Sequence, residues 1–122
     1  MGLALAVGGA GAAGAVARYL VDSWVRRRTR TVLPMGTLIV NVVGSFILGL
    51  LAGFALAHAG SATAKTVVGT GFCGGLTTWS TAAWETVRLA QDDSGRDALV
   101  FTAANLVLSF LAGAAGLLLY LR

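Results

Sequence analysis

The stretch GTGFCGGLTTWSTAAWE, running from Gly69 to Glu85, decides how the rest of the chain is read. It is apolar enough for a membrane helix, yet it carries Gly69, Gly71, Gly74 and Gly75, then hydroxyls at Thr77, Thr78, Ser80 and Thr81. Paired glycines loosen a helical hydrogen-bond ladder, and β-branched threonines do little to restore it. An opened backbone at membrane depth survives only where protein buries it or where it lines a polar cavity. These residues therefore predict a break at Gly74-Gly75-Leu76-Thr77-Thr78, with main-chain carbonyls, amides and small hydroxyls gathered around it. A second reading fits the same letters: a tightly packed helix whose hydroxyls bond back to their own turn.

The chain around this stretch is lipid-like. Of 122 residues, 57% are hydrophobic and 11% charged, where a soluble domain would be about a quarter charged. The expectation is a single all-α integral membrane domain over residues 1–122. Its four transmembrane helices lie at about 3–25, 32–59, 66–89 and 98–121, the third of them broken. Four crossings leave little room for a pore plus moving halves, so the subunit is expected to oligomerise. The net charge of +4 does not point to nucleic acid, because Arg26, Arg27, Arg28 and Arg30 cluster between two apolar segments. The single cysteine, Cys73, forms no intrachain disulfide or metal cluster and reads as a small apolar filler. The start lacks a basic n-region, so no cleavable signal is expected.

Three faces at i, i+4 spacing recur along the chain. In the first crossing Ala10, Gly14, Arg18 and Asp22 share a face that passes from small residues to a charged pair. It reads as a packing surface opening on a polar vestibule, or as an arginine snorkelling to the headgroups beside its aspartate. In the second crossing, which begins at Val32 or after a turn at Pro34, the stripe is Thr37, Asn41, Ser45, Gly49 and Gly53. In the fourth it is Asn105, Ser109 and Gly113, with Gly116 completing the surface. Each suits either helix glue or one wall of a narrow polar passage. His58 and a polar link around Ser61 precede Lys65, and QDDSGRD, from Gln91 to Asp97, reads as a loop. The loop ends on one side hold Arg26, Arg27, Arg28, Arg30, Arg88 and Arg96, against Lys65 and Arg122 on the other. That bias predicts an arginine-rich cytoplasmic side with both termini outward.

Enzyme chemistry finds no support. The acids within apolar segments are Asp22 and Glu85, the one histidine is His58, and no carboxylate pair or nucleophile-base arrangement is present. Permeation is more economical. Asn41, Thr77, Thr81, Ser109 and the backbone near Gly74 can replace the hydration shell of a small solute. Amide and hydroxyl hydrogens would suit an anion, and carbonyl oxygens a desolvated monovalent cation. Glu85 keeps open a proton-coupled exporter of cationic compounds, which needs a membrane carboxylate. Against this, Glu85 precedes Arg88 by three residues and is expected to pair with it, or with Arg18. A non-transporting structural subunit explains the small-residue faces alone.

GAVARY at Gly14–Tyr19, GTLIVNVVGSFILG at Gly36–Gly49 and GFCGGLTTWST at Gly71–Thr81 together resemble the Fluc (CrcB) family of small fluoride channels, over nearly the whole chain. The resemblance implies four-helix subunits in an antiparallel, dual-topology dimer with two narrow pores in a bacterial plasma or inner membrane, exporting fluoride passively and so limiting its toxicity. It also implies a structural Na+ at the dimer centre, held by backbone carbonyls on Gly74 and Thr77. Asn41 would be the amide that orients aromatic groups and donates to fluoride, with Trp79, Thr81 and Ser109 along the pore. Arg18 would stand near the vestibule, and Glu85 would be the third-helix carboxylate. Two departures stand out: the family's phenylalanines three apart are here Trp79 and Ala82, and the arginine bias suits one direction of insertion. Both point to a heterodimer with a related, oppositely oriented subunit, the homodimer being the alternative.

Overall fold

A computed structural model describes residues 1–58 and 62–122. Every regular element among them is helical. In order they are α1 (Gly2–Arg28), α2 (Met35–Ala57), α3 (Ala62–Ala64), a π-wound stretch (Lys65–Cys73), α4 (Gly74–Leu76), α5 (Trp79–Gln91) and α6 (Gly95–Leu121). Among the described residues, α1, α2 and α6 are long and apolar enough to cross a membrane. The segment from α3 to α5 is interrupted, at Thr77 and Thr78. The polar link expected around Ser61 lies outside the described residues, as does Ala59 at the expected end of the second crossing.

The helix ends follow from local chemistry. α1 closes with Arg26, Arg27 and Arg28 in its last turn, where positive charge complements the helix dipole. The Thr29 hydroxyl donates to the Val25 carbonyl there at 2.9 Å. α2 opens directly after Pro34, whose missing N–H costs nothing at a helix start. The QDDSGRD loop is shorter than expected. α5 keeps Gln91, and α6 takes in Arg96 and Asp97, the aspartate favoured in its first turn. Only Asp92, Asp93 and Ser94 turn the chain, with Asp93 at φ 61°, a left-handed conformation that aspartate tolerates better than most residues.

Two packings hold the subunit together. α2 and α6 form the most extensive pair. A methyl added at Gly49 would collide with the Gly113 carbonyl, and one at Gly116 with the Phe46 carbonyl, so the two backbones meet with nothing between them. α1 lies against the π-wound stretch and α4 in the same manner: Gly14 faces Phe72 and Leu76, and Gly75 faces Gly11. Such small-residue seams suit a bilayer, where association rests on van der Waals approach rather than water exclusion. A small core of Ala82, Leu89, Ala98 and Phe101, flanked by Leu33 and Leu38, joins α5 to α6. Large apolar side chains such as Leu20, Leu99, Phe110 and Leu118 are left exposed, as expected of a surface that meets hydrocarbon.

Candidate functional site

The break falls later than the paired glycines predicted. Gly74 and Gly75 remain helical, Gly74 at φ −63°, ψ −37°. The chain opens at Thr77 (φ −80°, ψ 158°) and Thr78 (φ −154°, ψ 120°), both extended. The glycines serve packing instead: Gly75 allows α1 to approach, and Gly74 faces open space. The cause of the opening comes from another helix. Asn41 Oδ1 accepts the Thr78 N–H at 2.8 Å, and its Nδ2 donates to the Thr78 carbonyl at 3.1 Å. One side-chain amide thus satisfies both main-chain groups of the residue that left the helix, which buried backbone requires.

Asn41 has a second donor hydrogen, and Asn105 on α6 takes it: Nδ2 to Oδ1, 3.0 Å. Both asparagines are 7% exposed. On the far side of the break the Thr78 hydroxyl caps α5, accepting the Thr81 N–H at 3.2 Å and lying 3.0 Å from the Thr81 hydroxyl. The Thr77 hydroxyl bonds back to the Cys73 carbonyl at 2.8 Å, so the back-bonding expected of a packed helix holds for this residue.

These groups line one side of a groove of about 380 Å³. Its walls include Asn41, Thr77, Thr78, Trp79, Asn105 and Ser109. Trp79, the first residue of α5, is 74% exposed there. The Ser109 hydroxyl is buried without a partner. Three expected pore residues, Asn41, Trp79 and Ser109, therefore come together, whereas Thr81 belongs to the cap behind the break. The expected donor role of Asn41 meets an obstacle, because both its amide hydrogens already have protein acceptors. Asn105 was read only as part of a polar face. The signal available in the sequence was that it is the chain's other asparagine, at matching depth in a facing helix.

Two carbonyls at the break lose the donors that a regular helix would give them. In an unbroken helix the Gly74 carbonyl would accept from the Thr78 N–H and the Thr77 carbonyl from the Thr81 N–H. Here those donors go to Asn41 Oδ1 and to the Thr78 hydroxyl. Neutral oxygens of this kind suit a singly charged ion, and the described residues contain no cluster of three or more acidic, histidine or cysteine side chains for a metal.

The charged residues arrange themselves otherwise than expected. Asp22 pairs with Arg26 at 2.8 Å, not with Arg18, and it sits against Gly36 at the start of α2. Arg18 makes no ion pair among the described residues. Arg88 lies over the Trp84 ring at 5.4 Å rather than on Glu85, and Arg28 lies over Trp24 at 5.1 Å. Glu85 consequently has neither expected partner. It is 7% exposed, one oxygen is unpartnered, and it lies beside Thr37 with Asp22, Arg26 and Arg88 as neighbouring charges. It opens on a second cavity of about 410 Å³ at the arginine-rich end, lined also by Arg26, Pro34, Trp84 and Arg88. Ala82, where a second aromatic ring was missed, is buried beside Phe101, which is 1% exposed and fills that layer from α6.

Residues 5–117 match the family described as CrcB-like protein, Camphor Resistance (CrcB). Among curated relatives, fluoride-specific ion channel FluC 1 of Leifsonia xyli is 47% identical over 96% of this chain and 84% of its own length. FluC 2 of Cutibacterium acnes is 45% identical over 90% of each chain. FluC of Sulfurovum sp. is 40% identical over 98% of this chain and 94% of its own. With a match that spans nearly its whole length and relatives at this identity, the chain belongs to the CrcB-like family.

Proposed function

We propose that the chain is a subunit of a fluoride channel in the cell membrane, letting fluoride leave the cytoplasm passively, with no catalytic step. The observation that carries this reading is the groove at Thr77–Thr78, where donors converge beside a broken helix in a chain closely similar to fluoride-specific channels. Fluoride is small and strongly hydrated, so donors must replace its water within hydrocarbon. The cavity's own lining balances Arg26 and Arg88 against Glu85 and Asp92, and it is the adjoining run from Arg26 to Arg30 that gives the cytoplasmic end the positive excess that draws anions in. The segment from Ala62 to Gln91 then makes the third crossing, in two pieces, to bring the total to four.

The groove lies on the subunit surface with Trp79 and Phe110 exposed along it, which supports a second subunit closing it. We assign that subunit the opposite orientation, so that the Gly74 and Thr77 carbonyls of two chains meet around Na+. When bound, the ion supplies the positive charge that holds those carbonyl dipoles together. The arginine bias favours a related subunit as partner over a second copy. Labelling both termini from each side, with and without such a homologue, tests this: insertion in both directions together with full flux by this chain alone would overturn it.

Fluoride efflux from vesicles holding the purified chain, alone and with the related subunit, tests the function. A fluoride gradient should drive flux without a proton gradient, and vesicles tight to fluoride in both preparations would end the reading. The buried carboxylate of Glu85 favours one rival, a proton-coupled exporter of cations. That rival requires efflux that depends on a proton gradient and disappears in Glu85→Gln.

A further inference from the structure

Three consecutive arginines close α1, and each meets a different surrounding. Arg26 is paired with Asp22, and Arg28 lies over the Trp24 ring. Arg27, between them, has no ion-pair or ring partner among the described residues. It stands instead on a separate groove of about 480 Å³, whose other walls are Leu20, Val21, Ser23 and Trp24. Leu20 and Trp24 are exposed there, and no acidic side chain lines the groove.

Leu20, Trp24 and Arg27 fall at i, i+4 and i+7 on one helical face. At about 1.5 Å per residue, that face passes from apolar side chains to a guanidinium over roughly 10 Å. Because α1 is long and apolar enough to cross a membrane, Arg27 in its last turn falls at headgroup level and Leu20 in hydrocarbon. Trp24 suits the boundary between them. Whatever occupies the groove must therefore be apolar at one end and anionic at the other.

We infer that the groove binds one anionic phospholipid from the leaflet at the arginine-rich end. Arg27 grips the phosphate, and an acyl chain lies along Leu20, Val21 and Trp24. A guanidinium matches phosphate oxygens two at a time. Ser23, four residues before Arg27, places a hydroxyl at the depth of the glycerol esters, where it can donate to a carbonyl. A zwitterionic lipid binds less well, because its own ammonium competes for the phosphate. Arg30 lies beyond the end of α1 and outside the groove, so this site is separable from the general attraction of a basic surface.

The chain has three tryptophans, so the Trp24 signal is the fluorescence difference between the chain and its Trp24→Phe variant. In phosphatidylcholine vesicles, phosphatidylglycerol brominated on its acyl chain should quench that signal at about fivefold lower content than phosphatidylcholine brominated at the same carbons. The preference should vanish in Arg27→Gln, and it should survive in Arg27→Lys, which keeps the charge, and in Arg30→Gln.

Equal quenching by the two lipids would mark ordinary boundary lipid and overturn the inference. An equal loss of preference in Arg27→Gln and Arg30→Gln would mark diffuse attraction and overturn it too. Quenching by neither lipid would mean that a protein partner covers this face, which is equally fatal. The readout does not depend on fluoride flux, so its failure leaves the functional reading standing.

Discussion

The α2–α6 pair makes two different interfaces along its length. At Gly49, Gly113 and Gly116 the backbones touch, and the contact works because side chains are absent. Toward the other end the same helices present Asn41 and Asn105, bonded across the gap, and the space between them admits the Thr78 peptide. Both halves belong to the same i, i+4 stripes. One is adhesive and the other is a polar wall, and the difference lies in what stands opposite: a backbone in the first case, an interrupted third segment in the second.

Asn41→Leu should break the polar half most severely. It strands the Thr78 N–H and carbonyl in a buried setting, at about 1–3 kcal/mol each. Fluoride flux should vanish, and thermal melting in detergent should register the loss. A folded variant with wild-type flux would refute the clamp. Gly49→Ala attacks the adhesive half, since even a methyl meets the Gly113 carbonyl; about 1–3 kcal/mol of overpacking should appear as a lower melting point. The fraction that folds should keep its fluoride-over-chloride preference, and a changed preference would mean that the two halves are not separable.

Thr78→Ala should be milder, removing the cap on α5 at about 0.5–2 kcal/mol. Hydrogen exchange should rise in the first turn of α5 and leave the Asn41–Asn105 contact protected. Smallest of all, Arg26→Gln loses an exposed i, i+4 pair with Asp22 and should shift stability by about 0.3–0.5 kcal/mol. Its measurable effect should be on flux at low ionic strength, through the potential of the arginine-lined cavity.

Much of this was legible in the letters, because hydropathy and small-residue periodicity are local properties. Long apolar runs gave α1, α2 and α6, Pro34 gave the start of α2, and the stripes gave the facing surfaces. The break was legible only to within a few residues. Gly74 and Gly75 looked like its cause because glycine is permissive, yet permissive residues stay helical when a neighbouring helix packs on them, as Gly11 does on Gly75. The π winding from Lys65 to Cys73 left no sign beyond its glycines, and the Glu85–Arg88 pair was misjudged because Trp84 offered the guanidinium a competing face.

By itself the sequence determined a helical chain with long apolar spans, a basic end and a polar interruption in its third segment, since each follows from residue types at a fixed spacing. Tertiary structure decided where the helix opens, which main-chain groups the Asn41 amide meets and how the two asparagines face one another. Those outcomes depend on hydrogen-bond partners 37 and 64 residues apart in the chain, and no local pattern specifies which donor meets which acceptor.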